Sequence, residues 1–142
     1  MNTMGSSVIR SAQLDINLHN PGAVAIARQA VAELLSPLEI AADLVFDFQL
    51  AVCEGVTNVI RHARPNNSCR VDLTVRGESI TAVIVDFGPG FSLRPTPMPG
   101  PGSTGGRGIP LMQKLCDSVR YDRNTPNRLI LTKSLAGSLQ RV

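Results

Sequence analysis

Aromatic residues and cysteines are both scarce in this sequence. It has no tryptophan, one tyrosine and four phenylalanines, and its three cysteines, Cys53, Cys69 and Cys116, form no CxxC pair. An odd number of widely spaced cysteines argues against a disulfide framework and against a zinc site. No apolar run approaches the ~20 residues that a membrane-spanning helix requires.

The sequence also lacks an N-terminal targeting signal. Its first residues, MNTMGSS, do not have the basic-then-apolar layout of a secretory signal peptide. We therefore expect a cytoplasmic protein without a membrane segment, and we expect residues 1–10 to form a flexible tail.

A strong excess of one charge is absent as well. The net charge is +3, and no aromatic residues are interleaved with Arg61, Arg64 and Arg70. Nucleic-acid surfaces combine clustered basic residues with aromatic side chains for stacking. Direct nucleic-acid binding is therefore not predicted, although an arginine-rich nucleic-acid binder stays open as an alternative.

The sequence does contain enough apolar material for one domain, which we place at 11–142. The chain has 142 residues, of which 43% are hydrophobic, and this suits a single core. Period-two alternation predicts strands, and apolar residues every three or four positions predict helices. The predicted strands are 11–19, 70–76, 79–85, 119–122 and 129–133, and the predicted helices run from Asn20 to before Pro37, from Leu38 or Ala41 to Ala63, and over 109–118.

Proline is concentrated in one loop. Four prolines occupy alternate positions from Pro95 to Pro101, a density that fits neither a helix nor a central strand. A loop of this length inside a compact domain is usually functional. We predict a lid at about 92–107.

Glu54 and Asn58 are four residues apart in the long second helix. This spacing places both side chains on one helix face, one turn apart. An amide oxygen at Asn58 suits Mg²⁺, and a carboxylate at Glu54 suits a general base acting on a hydroxyl or water. Taken alone, the pair is equally typical of a helix's solvent-facing strip.

The run ITAVIV, which predicts a strand covered on both faces, ends in Asp86-Phe87-Gly88-Pro89-Gly90. A buried carboxylate needs a hydrogen-bond donor, and the amino group of adenine is one. Gly88 and Gly90 would let a flat base approach the backbone closely. The alternative is an aspartate that begins an ordinary turn.

The sequence GGRG, Gly105–Gly108, opens the predicted third helix. Amide groups at a helix N-terminus bind anions, glycines let phosphate oxygens come near, and Arg107 adds positive charge. The spacing matches neither a Walker A loop nor a Rossmann fingerprint. A flexible linker is the alternative for this motif alone.

The order of these motifs is more specific than any one of them. A helix with E-x-x-x-N, a strand ending in D-x-G-x-G, a long lid and G-x-G at a helix start together resemble the Bergerat-fold (GHKL) ATPases. Within that superfamily, FQLAVCEGVTNVIRHA at 48–63 looks like the N-box helix of the RsbW-like family. Its members are stand-alone bacterial anti-sigma factors that are also serine-protein kinases. The resemblance runs from about Leu14 to Lys133.

This resemblance implies a fold and an activity. The fold would be α+β, a two-layer sandwich with a mixed, mainly antiparallel sheet and helices on one face. The chain would be an ATP- and Mg²⁺-dependent serine kinase that phosphorylates a STAS-domain anti-anti-sigma partner and sequesters a sigma factor. Homodimers are common in the family but leave no mark in this sequence. An ATP-binding switch module with little or no kinase activity remains the alternative.

The resemblance also implies roles for individual residues. Glu54 would be the catalytic base, Asn58 would hold Mg²⁺, Asp86 would accept the adenine amino group, and Arg28 would lie on the partner-binding surface. The other residues implied to bind the nucleotide are Gly88, Gly90, Gly106, Arg107 and Gly108.

Several positions depart from the usual family pattern, among them Cys53, where the family usually has a serine. Gly55 replaces an alanine, and because glycine inside a helix costs about 1 kcal/mol relative to alanine, we expect close packing or close ligand approach there. The last strand of the family usually starts with Gly-Thr, whose hydroxyl supports the adenine-binding aspartate. Here Pro126-Asn127-Arg128 stands in its place, so the sequence does not show what supports Asp86.

Overall fold

The computed structural model describes residues 8–62, 68–88, 108–124 and 126–135. The described residues form five strands and three helices, which gives the predicted α+β class. No helix within these ranges is long and apolar enough to cross a membrane. In chain order the elements are β1 (Val8–Asn17), α1 (Ala23–Leu35), α2 (Ala42–His62), β2 (Ser68–Arg76), β3 (Ser79–Asp86), α3 (Gly108–Leu115), β4 (Ser118–Arg123) and β5 (Asn127–Ser134).

The strands form one sheet in the order β1-β2-β3-β5-β4, and each of the four pairings is antiparallel. The β2–β3 hairpin turns at Gly77, where φ is 59°, a conformation that glycine adopts at little cost. A mixed, mainly antiparallel sheet was expected. All pairings among the described strands are antiparallel, so this part of the sheet contains no parallel pair.

The helices cover one face of this sheet, with α1 against β1, α2 against β3 and β5, and α3 against β4. The prediction that β3 is covered on both faces is wrong for most of the strand. Ile80, Ala82 and Ile84 are buried, whereas Thr81 and Val83 between them are half-buried. An antiparallel sheet tolerates one solvated face, and β-branched residues suit that face as well as the core.

Several element boundaries differ from the prediction. β1 begins at Val8, inside the predicted tail, and Arg10 Nε donates to the Leu34 carbonyl over 2.8 Å. Asn20 does not cap α1 directly, because its Oδ1 accepts from the Gly22 N–H at 2.8 Å and the helix starts at Ala23. The predicted lid at 92–107 lies outside the described residues.

Candidate functional site

α2 carries Glu54 and Asn58 one turn apart, as predicted. Glu54 is half-buried, while Asn58 is only 6% exposed. The Asn58 Nδ2 group is buried and has no hydrogen-bond partner among the residues that the structure describes. Leaving a buried donor unpaired costs about 1–3 kcal/mol, so this amide is a candidate contact for a polar ligand.

Gly55, between them, packs closely against the sheet. A Cβ on Gly55 would lie 2.5 Å from Ile84 Cδ1, 3.1 Å from Leu129 Cδ2 and 3.8 Å from Met112 Sδ. The first two distances are shorter than ordinary carbon contacts. Of the two explanations expected for this glycine, close packing against β3 and β5 is therefore the one that the structure supports.

Asp86 is the last residue of β3 and is 3% exposed. Its Oδ1 accepts two hydrogen bonds, from the Gly88 N–H at 2.8 Å and from Asn127 Nδ2 at 3.1 Å. The expectation that this carboxylate needs donors is met by the protein itself. The donors come from its own turn and from the neighbouring strand.

Asn127 is a residue of the candidate site that the sequence did not reveal. It opens β5, pairs with Asp86 in the β3–β5 register and is 3% exposed. Its Nδ2 also donates to the Gly88 carbonyl at 2.8 Å. Prolines and asparagines favour turns, which is why β5 was predicted to start later. The signal that pointed toward Asn127 was the missing donor for Asp86.

Cys69, on β2, borders Asp86 on the side opposite Asn127. The Arg70–Val85 pair places Cys69 and Asp86 at the next step of the register. Burial raises the pKa of the Cys69 thiol to about 12, and the negative charges of Asp86 and Asp15 add to that shift. Cys69 is therefore a neutral thiol at physiological pH.

Arg28 lies where α1 contacts α2. Gln49 Nε2 donates to the Arg28 carbonyl over 3.0 Å. Burial raises the pKa of the Cys53 thiol, whereas the positive charge of Arg28 and a hydrogen bond from it oppose that shift. The guanidinium thus lies beside the residue that precedes Glu54.

The side chains that surround Gly55 lie within a few residues of the predicted site residues on their own elements. Ile84, which it contacts, lies two residues before Asp86 on the same strand face, about 7 Å away. Leu129 lies two residues after Asn127, and Met112 lies one turn after Gly108, where α3 begins. Gly90, Gly106 and Arg107 are outside the described residues.

One protein-family model, the histidine kinase-like ATPase domain, matches residues 19–133. The chain belongs to this family. A histidine kinase-like ATPase domain binds ATP, and the five-stranded sheet with helices on one face is its fold.

Individual proteins with similar sequences or structures accompany this match. The anti-sigma F factors of two Clostridium kluyveri strains are each 29% identical over 117 residues, which cover 75% of this chain and 82% of theirs. A crystal structure of the RsbU and RsbW domains of Rv1364c from Mycobacterium tuberculosis superposes with a TM-score of 0.69 at 16% identity, over 89% of this chain. This chain spans 33% of that one, and the likeness supports the histidine kinase-like ATPase fold.

Proposed function

We propose that this ATPase domain is a serine kinase and anti-sigma factor that phosphorylates a STAS-domain anti-anti-sigma protein and sequesters a sigma factor. The names of its sequence relatives support the anti-sigma assignment. One structural observation carries the site: the buried Nδ2 of Asn58, which has no hydrogen-bond partner among the described residues. It lies one turn from Glu54, on a helix that Gly55 packs closely against the strand ending in Asp86.

Nucleotide binding is assigned to three segments. Asp86 accepts the 6-amino group of adenine, with Gly88 and Gly90 beside the ring. Gly108, where α3 begins, holds the phosphates together with Gly106 and Arg107, which precede it in sequence, because helix N-termini and glycine backbones favour anions. The third segment is α2, which contributes Asn58.

The residues present fit a magnesium ion. An asparagine oxygen such as Asn58 Oδ1 is a normal Mg²⁺ ligand. The unpartnered Asn58 Nδ2 is a donor and suits a phosphate oxygen next to the ion. Within the described ranges no group of three or more His, Cys, Asp or Glu residues could hold a metal. Mg²⁺ does not require one, since it is usually bound by one or two side chains together with substrate phosphates. When bound, it would neutralise charge on the triphosphate.

Glu54 serves as the base for phosphoryl transfer. The substrate serine Oγ forms a bond to the γ-phosphorus while the bond to the bridging oxygen of ADP breaks. The proton of the serine hydroxyl passes to the Glu54 carboxylate, and ADP leaves. Glu54 is half-buried, which leaves its carboxylate accessible to a protein substrate.

Partner binding is assigned to the surface around Arg28. This residue is exposed and lies beside Cys53, so a protein that contacts Arg28 is close to the turn that carries Glu54. Both the STAS-domain protein and the sigma factor would use this surface.

The test is transfer of radiolabelled γ-phosphate from ATP to the STAS-domain proteins of the source organism. The wild-type chain should bind ATP in equilibrium dialysis with Mg²⁺ and label one such protein on serine. Glu54→Gln should retain ATP and lose labelling by at least about a hundredfold, since general-base catalysis contributes about 10²–10⁴-fold.

Two results would change the assignment. Unchanged labelling by Glu54→Gln means that Glu54 is not the base. Binding of ATP by the wild type without labelling of any STAS-domain protein would favour the alternative, an ATP-binding switch module that regulates another partner.

A further inference from the structure

We propose that Asn127 is a positioning residue that orients Asp86 and thereby sets the preference for adenine over a purine without a 6-amino group. This inference rests on the proposed contact between Asp86 and adenine. It concerns base selection alone and does not depend on phosphoryl transfer.

The first argument is the arrangement around the Asp86 carboxylate. Oδ1 accepts from both the Gly88 N–H and Asn127 Nδ2, at 2.8 and 3.1 Å. A carboxylate oxygen has about two acceptor sites, so these two donors fill Oδ1. The carboxylate can then accept a further donor only through Oδ2. Asn127 therefore determines which oxygen is left for a base and fixes its direction.

The second argument is that Asn127 uses both hydrogens of its amide. Nδ2 donates to Asp86 Oδ1 and also to the Gly88 carbonyl at 2.8 Å. The side chain on β5 thus ties together the carboxylate and the backbone of the turn that follows β3. A serine or threonine hydroxyl has one hydrogen and could make only one of these bonds.

The third argument is burial. Asp86 and Asn127 are each 3% exposed, so the hydrogen bond between them is shielded from water. On the other side of Asp86, Cys69 is also 3% exposed and holds its proton to a pKa of about 12. It is a weak donor at best, so the strong side-chain donor to Asp86 within the described residues is Asn127.

The experiment compares affinities for MgATP and MgITP, whose base carries a 6-oxo group in place of the 6-amino group. The full chain is titrated with each nucleotide by calorimetry. The wild type should prefer ATP. Asn127→Ala should bind ATP about tenfold more weakly, the loss expected for one misplaced hydrogen bond to a charged group. Its affinity for ITP should change by less than about twofold, so the preference collapses.

Two further variants complete the design. Thr132→Val, which alters the same strand at a partly buried threonine paired with Thr81, should bind both nucleotides like the wild type. Asn127→Ser keeps one donor and should show an intermediate preference. The ratio of the ATP and ITP affinities of one variant does not depend on the fraction of the protein that is folded. If Asn127→Ala folds too poorly to be measured, the ratio for Asn127→Ser decides the question.

Three results would overturn the inference. One is an Asn127 variant with the wild-type ratio of ATP to ITP affinity, and another is an equal loss of both affinities, which a purely structural role produces. The third is a wild-type chain that binds ATP and ITP equally, which rejects base reading by Asp86 while ATP binding and the kinase proposal stand. Failure of the kinase proposal would instead appear as absent phosphotransfer with the nucleotide preference intact.

Discussion

Gly55 of α2 and Ile84 of β3 approach so closely that a Cβ on Gly55 would lie 2.5 Å from Ile84 Cδ1. The contact lies between Glu54 and Asn58 in sequence and two residues before Asp86 on the strand. The packing of the core and the geometry of the site therefore depend on the same helix turn.

Substitutions at Gly55 should reveal how tight this packing is. Gly55→Ala gains helix propensity of about 1 kcal/mol but must displace the ends of the Ile84 and Leu129 side chains. We expect the two effects to offset within about 1 kcal/mol. Gly55→Leu has no such room and should lower the free energy of unfolding in urea by about 2–3 kcal/mol.

Ala42→Leu is the matched control because Ala42 is exposed on the same helix. It should change the free energy of unfolding by no more than about 0.5 kcal/mol. If Gly55→Leu proves as stable as Ala42→Leu, the helix is not held close to the sheet at this point.

Asn58 should affect stability in opposite directions with and without nucleotide. Asn58→Leu has a similar volume and removes the unpartnered buried amide, so the free protein should gain about 1 kcal/mol in unfolding free energy. The same change removes the proposed ligand for Mg²⁺. The stabilisation by MgATP, about 2.7 kcal/mol at a hundredfold excess over the Kd, should therefore be lost.

Thermal unfolding with and without MgATP measures both effects of Asn58→Leu. Gln29→Leu removes an exposed amide on α1 and should leave the nucleotide effect intact. An Asn58→Leu protein that is destabilised when free but still stabilised by MgATP would mean that Asn58 is a structural residue.

Asp86→Asn should reverse the base preference. The substituted amide keeps the shape of the carboxylate, and its oxygen can still accept from Gly88 and Asn127. Its nitrogen then takes the place of Oδ2 and presents a donor, which repels the 6-amino group of ATP and suits the 6-oxo group of ITP. We expect ATP affinity to fall at least about tenfold and the ratio of the two affinities to favour ITP. A variant that still prefers ATP would exclude Asp86 as the residue that reads the base.

The elements with clear periodicity could be predicted from sequence because local pattern and burial agree in them. Phe48, Val52, Val56 and Val59 recur on one face of α2, and all four are buried. The ends of the elements were less predictable. Val8 begins β1, and its pairing with Arg76 is a long-range contact that no local pattern records.

The site could be predicted only as far as single residues carry its chemistry. The motifs and their order predict Glu54, Asn58 and Asp86 as site residues through the resemblance to the family. The sequence does not identify Asn127, because the contact with Asp86 arises from the register of two strands separated by about 40 residues. Likewise, Gly55 is explained by Ile84 and Leu129, which only the fold brings to it.

Stability at alkaline pH tests the burial of Cys69, whose pKa is raised from 9.0 to about 12 by burial and then by the charges of Asp86 and Asp15. Above pH 9 the unfolded thiol loses its proton while the folded one keeps it, so stability falls as pH rises from about 9 toward 12, by up to about 1.4 kcal/mol per pH unit.

Between pH 8 and pH 10 the wild type should lose about 1 kcal/mol more unfolding free energy than Cys69→Ala. The cavity in the variant cancels because it is the same at both pH values, and Ser68→Ala, an exposed neighbour on β2, should lose as much as the wild type. Equal losses in the wild type and Cys69→Ala would mean that this thiol is solvated in the folded protein and is not buried beside Asp86.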